Sequence, residues 1–231
     1  MATSRPRLIF CADGNARHAE IALAEGWEYG CRLPARGMLK GSSLTFADQD
    51  WKRPNRERYM RCLEQHRPDL ATVLDLEREE QLTEVLSWAE EAAQYVGTAV
   101  LLIPKVPGGV SILPRRVGGK DVWLAYSVPT SYGGSPLGLW EFAGWPVHLL
   151  GGSPQRQHEV WQYLRGIADV RSLDGNMAKK QAVSRCLYWT RKTTSHGHWQ
   201  PINRAVEHDA PDECLTRSLA NILEAWEAWS K

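Results

Sequence analysis

The sequence predicts an α/β fold, a compact (β/α)8 barrel with a helical C-terminal segment, on three observations. Short apolar strands alternate with amphipathic helices along nearly the whole chain, which is the pattern of a parallel sheet. Seven clear strands occur without a dinucleotide-binding fingerprint, and this favours a closed barrel over an open doubly wound sheet. The chain has 231 residues, a little under the roughly 250 of a typical barrel of this kind, so the loops must be short. One domain is expected over 1–231, with 176–231 as a mostly helical closing segment.

Taken in order, the first strand is expected at Leu8–Cys11, ending in Asp13-Gly14-Asn15, with a helix at Ala16–Glu25. Strand Ser43–Ala47 runs into Asp48, Gln49 and Asp50 and is followed by helix Asn55–Gln65. Strand Ala71–Leu74 runs into Asp75 and precedes helix Glu80–Tyr95. Strand Ala99–Ile103 leads to Lys105, and Val122–Tyr126 leads to a short helix at Leu137–Phe142. The most informative stretch begins at the buried run Val147–Leu150. Gly151 and Gly152 there allow a sharp turn and close approach to a ligand. Ser153 is a good N-cap with Pro154 at the first helical position. Val160, Trp161 and Leu164 share helical spacing within Pro154–Arg165, and Gly166 closes that helix. Strand Val170–Leu173 then carries Asp174. The eighth strand is assigned to a degenerate segment at Leu187–Thr190, and the chain ends in a helix over Asp212–Trp229.

Composition narrows the function classes. A net charge of +1 and a pI near 7.7 exclude a strongly basic nucleic-acid footprint over the whole surface. Local basic clusters remain, at Arg115, Arg116 and Lys120 and at Lys179, Lys180, Arg185, Arg191 and Lys192, and such clusters are usually solvated faces. Of eleven tryptophans, Trp189, Trp199, Trp226 and Trp229 crowd the C-terminal part, where packing is the expected role. Five cysteines without a CxxC pair point to reduced thiols, and no signal-peptide core or membrane-length apolar run is present. A cytoplasmic protein is expected.

The acids fall at strand ends. Asp48, Asp75 and Asp174 each stand at the carboxyl end of a strand, the rim that forms active sites in parallel barrels, and Asp13 is a weaker candidate because Asp-Gly is common turn chemistry. By itself Asp174-Gly175-Asn176 also reads as an ordinary turn.

The stretch Pro146–Asn176 resembles the late barrel segment of the tRNA-guanine transglycosylases, through Val147-His148 on one strand and Ser172-Leu173-Asp174-Gly175 on the next. The resemblance is closer to short phage proteins of that superfamily, related to the DNA-guanine transglycosylases that install 7-deazaguanines in DNA. It implies a TIM-type barrel in which Asp174 is the nucleophile and Asp48 the acid/base. It further implies that Asp75 accepts from the amide edge of guanine and that Gly151 and Gly152 form a base-contacting turn. Asp50, Asp13 and Lys105 are added as substrate-binding candidates. The chain departs from the family pattern in two places: Gln49 and Asp50 replace small residues after Asp48, and Lys105 stands roughly where the family has a glutamine.

The reaction so implied is base exchange at a nucleoside C1′. Asp174 attacks the sugar as guanine leaves, a covalent glycosyl–enzyme forms, and a 7-deazaguanine base displaces the carboxylate. The tRNA enzymes hold a structural zinc with three cysteines and a histidine. Cys186 and Cys214 stand alone here, His196 and His198 lack a cysteine cluster, and neither metal nor cofactor is expected. The short chain without that zinc motif points to DNA rather than tRNA as polymer, to a phage or prophage protein in a bacterial host, and to accessory modification proteins as further partners. Three other readings stay open: a tRNA-guanine transglycosylase, a barrel enzyme on free nucleosides or another small molecule, and a non-catalytic nucleic-acid-binding accessory protein.

Overall fold

Eight parallel strands close into a barrel in the computed structural model, which describes residues 5–131, 133–191, 197–202 and 209–231. The staves are β1 (Arg7–Cys11), β2 (Glu28–Leu33), β3 (Phe46–Gln49), β4 (Leu70–Leu76), β5 (Ala99–Pro104), β6 (Lys120–Ser127), β7 (Pro146–Leu150) and β8 (Asp169–Gly175). Each pairs in parallel with its neighbours, and β8 closes on β1 with Ile9 opposite Asp174. The expected TIM-type barrel is therefore present, with an incomplete outer ring of helices. These are α1 (Ala16–Ala24), α2 (Arg56–His66), α3 (Leu82–Ala92), α4 (Pro154–Leu164), α5 (Met177–Arg185) and α6 (Ala210–Trp229).

The helix starts follow from local side-chain chemistry. Asn15, Asn55 and Ser153 cap α1, α2 and α4 by accepting the backbone N–H three residues on, which satisfies a donor that the first turn leaves unpaired. Outward-facing strand residues such as Leu8, Phe10, Val147 and Leu149 pack under the helices in the main core. Inward-facing Ile9, Phe46, Leu101 and Trp123 fill the lumen as a second cluster. Each such side chain contributes about 1.5–3 kcal/mol by leaving water. The lumen is thus solid through its middle and polar towards its two mouths.

The structure corrects the expected eighth strand. It is β2, Glu28–Leu33, between α1 and the strand carrying Asp48. Its inward positions are Glu28, Gly30 and Arg32, so it lacks the continuous apolar run expected of a buried stave. Glu28 pairs with Arg7 at one mouth, Gly30 lets the chain pass close to Ile9 and Cys11, and Arg32 reaches the other mouth. Leu187–Thr190 belongs instead to an antiparallel hairpin outside the barrel, β9 (Leu187–Arg191) with β10 (Gly197–Pro201). The segment from 176 onward is consequently helix, hairpin and helix. Leu137–Phe142 forms only a 3-10 turn, at Leu139–Phe142. No helix among the described residues is long and apolar enough to cross a membrane.

The C-terminal tryptophans pack. Trp189 and Trp226 are fully buried, and Trp226 meets Trp161 and Trp229 edge-on, while His158 stacks on Trp229 at 3.8 Å. Two register irregularities interrupt the ladders, between Thr72 and Asp75 on β4 and between Val147 and His148 on β7. Such irregularities re-aim side chains beside active sites, and each lies next to a polar residue of the mouth.

Candidate active site

Because all eight staves run the same way, Asp13, Asp48, Asp50, Asp75, Lys105, Gly151, Gly152 and Asp174 all emerge at one mouth. The resulting geometry separates them into distinct roles.

Asp174 is 7% exposed and held from three directions. Its Oδ1 accepts the Gly151 N–H at 2.8 Å and lies 3.2 Å from His148 Nε2, and its Oδ2 accepts from Cys11 Sγ at 3.1 Å. His148 is fully buried, with Nδ1 2.8 Å from Ser172 Oγ. Facing a carboxylate, which only accepts, Nε2 is the donor to Asp174, and Nδ1 shares a hydrogen bond with the Ser172 hydroxyl. Burial, then the nearby Asp174 and Asp48 charges, push the Cys11 thiol well above its ordinary range, so Cys11 stays protonated and acts as a donor. Gln157 on α4 holds the surrounding backbone with one amide nitrogen that donates to Gly151 O at 2.8 Å and to Asp174 O at 2.6 Å. The carboxylate is oriented before any substrate arrives.

The Gly-Gly turn makes this possible. Gly151 and Gly152 have φ of 67° and 92°, in the left-handed region that favours glycine. A Cβ on Gly152 would stand 2.6 Å from Val128 Cγ1. The resemblance gives this turn to the substrate base; in the structure the Gly151 N–H goes to the nucleophile candidate.

Asp48 is partly buried beside it. Thr72 Oγ1 donates to Asp48 Oδ1 at 3.0 Å and accepts the Gln49 N–H at 2.8 Å, which fixes the end of β3 to β4. Asp48 Oδ2 has no protein donor among the described residues. Burial is the largest influence on this carboxyl and the Asp174 charge the next; against the pull of Thr72 and Arg32 they push it up to about 8. It is a carboxylic acid at neutral pH, next to a second carboxylate whose hydrogen bonds come from elsewhere.

Asp75 forms an ion pair with Lys105 across β4 and β5. Burial raises the Asp75 carboxyl, and the Lys105 hydrogen bond and charge draw it back. Asp13 sits in a left-handed turn, φ 48°, where Asn176 Nδ2 donates to it at 3.1 Å and Lys179 Nζ lies at 3.7 Å. That arrangement ties the β1 and β8 loops together. Asp50 closes a turn by accepting the Arg53 N–H on its backbone oxygen, and its carboxylate has no side-chain partner among the described residues. The turn leaves Trp51 57% exposed on the rim.

Sequence reasoning found the acids and missed what surrounds them. His148 entered as part of a motif without a role, while Cys11, Thr72, Ser172, Gln157 and Arg32 were assigned none. Their common signal is a polar residue on one face of a buried strand, or facing one from a helix. Arg32 is the clearest case, two positions from Gly30 on the inward face and Cα-paired with Asp48. Among the described residues no group of three His, Cys, Asp or Glu is placed to hold a metal ion. His196 and Lys192 lie outside the described residues.

Among curated proteins none matches the chain. A model of a family of unknown function, DUF6610, matches residues 22–227, from α1 to α6 and across β2 to β8, and the chain belongs to that family.

Proposed function

We propose that the protein is a pentosyltransferase that exchanges guanine in DNA for a 7-deazaguanine base through a covalent aspartyl–sugar intermediate. The observation that carries this reading is a pair of neighbouring carboxyl groups prepared for opposite tasks. Asp174 is pinned by Cys11, His148 and the Gly151 N–H, and Asp48 holds its proton up to about pH 8. One group suited to attack and one suited to protonate a leaving group are what displacement at an anomeric carbon requires.

In the proposed cycle Asp174 bonds to C1′ as the bond from C1′ to the guanine nitrogen breaks. The bonding electrons leave with the base, and the Asp48 proton neutralises them. An incoming 7-deazaguanine passes its ring N–H proton back to Asp48, attacks C1′ and releases Asp174. The Asp75–Lys105 pair suits the guanine edge: the carboxylate accepts from N1–H and the exocyclic amine, and the ammonium donates to O6 beside them. Lys105 in place of a glutamine therefore keeps a donor for O6. The target nucleotide must leave its stack, at a cost of a few kcal/mol, and exposed Trp51, Lys52 and Arg53 offer a stacking face and two cations at the rim.

The test is entry of radiolabelled guanine into DNA and, separately, into tRNA, using wild type, Asp174→Ala and Asp174→Asn. Label in DNA with wild type alone is the expected result. Label in tRNA would keep the chemistry and change the polymer. Absence of label in both, with 7-deazaguanine bases and partner proteins supplied, would sink the reading.

A further inference from the structure

Arg32 has no role in the cycle just described, yet its position is unusual. The β2 strand alternates Tyr29, Cys31 and Leu33 outward, where they are buried under helices, with Glu28, Gly30 and Arg32 inward. The inward direction is fixed by Gly30, whose added Cβ would stand 2.8 Å from Ile9 Cγ2 and 3.0 Å from Cys11 Sγ inside the lumen. Arg32, one inward position further, faces the mouth and is exposed. Its Cα partner on β3 is Asp48, and its charge acts on that carboxyl.

Two cations flanking the carboxylates of the mouth are engaged by protein groups. Lys105 is paired with Asp75, and Lys179 donates to Ala12 O at 2.9 Å and faces Asp13. The Arg32 guanidinium has no ion pair and no hydrogen-bond acceptor among the described residues. Five donors in a planar fork, engaged by no protein acceptor among the described residues and carried on the stave beside Asp48, match a phosphate oxygen pair on a ligand.

We infer that Arg32 binds the phosphate attached to the reacting sugar, so that the substrate enters as a phosphate ester of the nucleoside and not as the free nucleoside. This rests on the glycosyl-transfer reading of the mouth and narrows its substrate class. The position is consistent with that assignment: Arg32 stands beside the group that protonates the base, on the strand next to it, so an anchored phosphate sets where C1′ falls between Asp48 and Asp174. The phosphate has two sources, a free mononucleotide or a phosphodiester of a DNA strand.

Binding is measured by calorimetry at pH 6, where Asp48 is protonated and its charge does not confuse the comparison. The probes are deoxyguanosine, deoxyguanosine 5′-monophosphate, ribose, ribose 5-phosphate and a short single-stranded oligodeoxynucleotide. With wild type each phosphorylated compound should bind about tenfold or more tighter than its unphosphorylated counterpart. Arg32→Gln should erase that ratio and Arg32→Lys should keep part of it, with thermal melting confirming that both variants fold. An oligonucleotide preferred over the monophosphate identifies the strand as source, and the reverse identifies the free nucleotide. A ratio near one in wild type, or one unchanged in Arg32→Gln, overturns the inference. The base-free probe keeps the two readings separate. Arg32-dependent binding of ribose 5-phosphate without any guanine exchange would leave the phosphate site standing and remove the glycosyl-transfer reading. Exchange on free nucleosides at an undiminished rate in Arg32→Gln would do the opposite.

Discussion

On the proposed reading, Asp48 would couple catalysis and stability at a single residue. Its carboxyl titrates at about 8 in the folded chain and near 4 when unfolded, so between those values the folded state holds the extra proton. Stability from this group is whole below about pH 4 and declines as pH rises to about 8. Asp48→Asn removes the ionisable group while keeping an amide in its place. Its melting temperature should therefore gain on wild type as pH rises from about 4 to 8, and be flat above. Exchange activity should fall about tenfold per pH unit above 8 in wild type, because the protonated acid is lost, and be absent in the variant. A melting difference independent of pH would show that Asp48 is an ordinary solvated carboxylate. The acids were legible in the sequence because each ends an apolar strand, and a parallel barrel collects such ends at one rim. His148, Cys11 and Thr72 were not legible, because a lone polar residue inside an apolar run reads as a satisfied core group until the fold shows what it faces.

At the element scale, the β7–α4 turn sets two glycines in succession in the left-handed region. Ser153 and Pro154 mark the helix start in the sequence, and the two glycines mark the bend, so the element was readable from residue types alone. Its target was not: the Gly151 N–H serves Asp174 across to β8, a tertiary contact that no local pattern encodes. Gly152→Ala should lower stability by roughly 2–4 kcal/mol, from left-handed strain and the contact with Val128. It should also reduce the rate of exchange more than it weakens substrate binding, since the displaced turn releases the nucleophile and leaves the mouth in place. Denaturant titration and steady-state kinetics read the two effects, and a variant as stable and active as wild type would show that the turn does not set the site. The missed strand β2 has the converse explanation. Its pattern does alternate, but glycine and charge occupy its inner face, and those residues resemble a loop unless both mouths of a barrel are available to solvate the charges.

At the scale of the molecule, closure makes the site depend on packing far from it. A barrel has no edge strand, so β8 is fixed on one side by β7 and on the other by β1. The outer wall over these staves includes α1 and α4, and α6 lies against α1, α5 and β9. Trp27 Nε1 donates to Leu219 O at 3.0 Å and Ser218 Oγ accepts the Trp189 N–H at 2.8 Å, so α6 is joined to the barrel and the hairpin alike. At its end Trp226 fills the space between Trp161 of α4 and Trp229, and its indole N–H is buried without a partner. Trp226→Ala should cost about 3–5 kcal/mol by opening a cavity there. Trp226→Phe should cost distinctly less, since it keeps an aromatic ring and removes the unsatisfied donor. Both variants should still unfold in one transition, with far-ultraviolet dichroism and tryptophan fluorescence coincident, because α6 and the staves share one core. An early fluorescence transition that left barrel dichroism and substrate binding intact would instead make the C-terminal segment a separate appendage. In the shared-core case the loss of α6 packing should loosen α4, then the Gln157 clamp on the Asp174 and Gly151 backbone, and the proposed exchange activity should fall with stability although no residue at the mouth has changed.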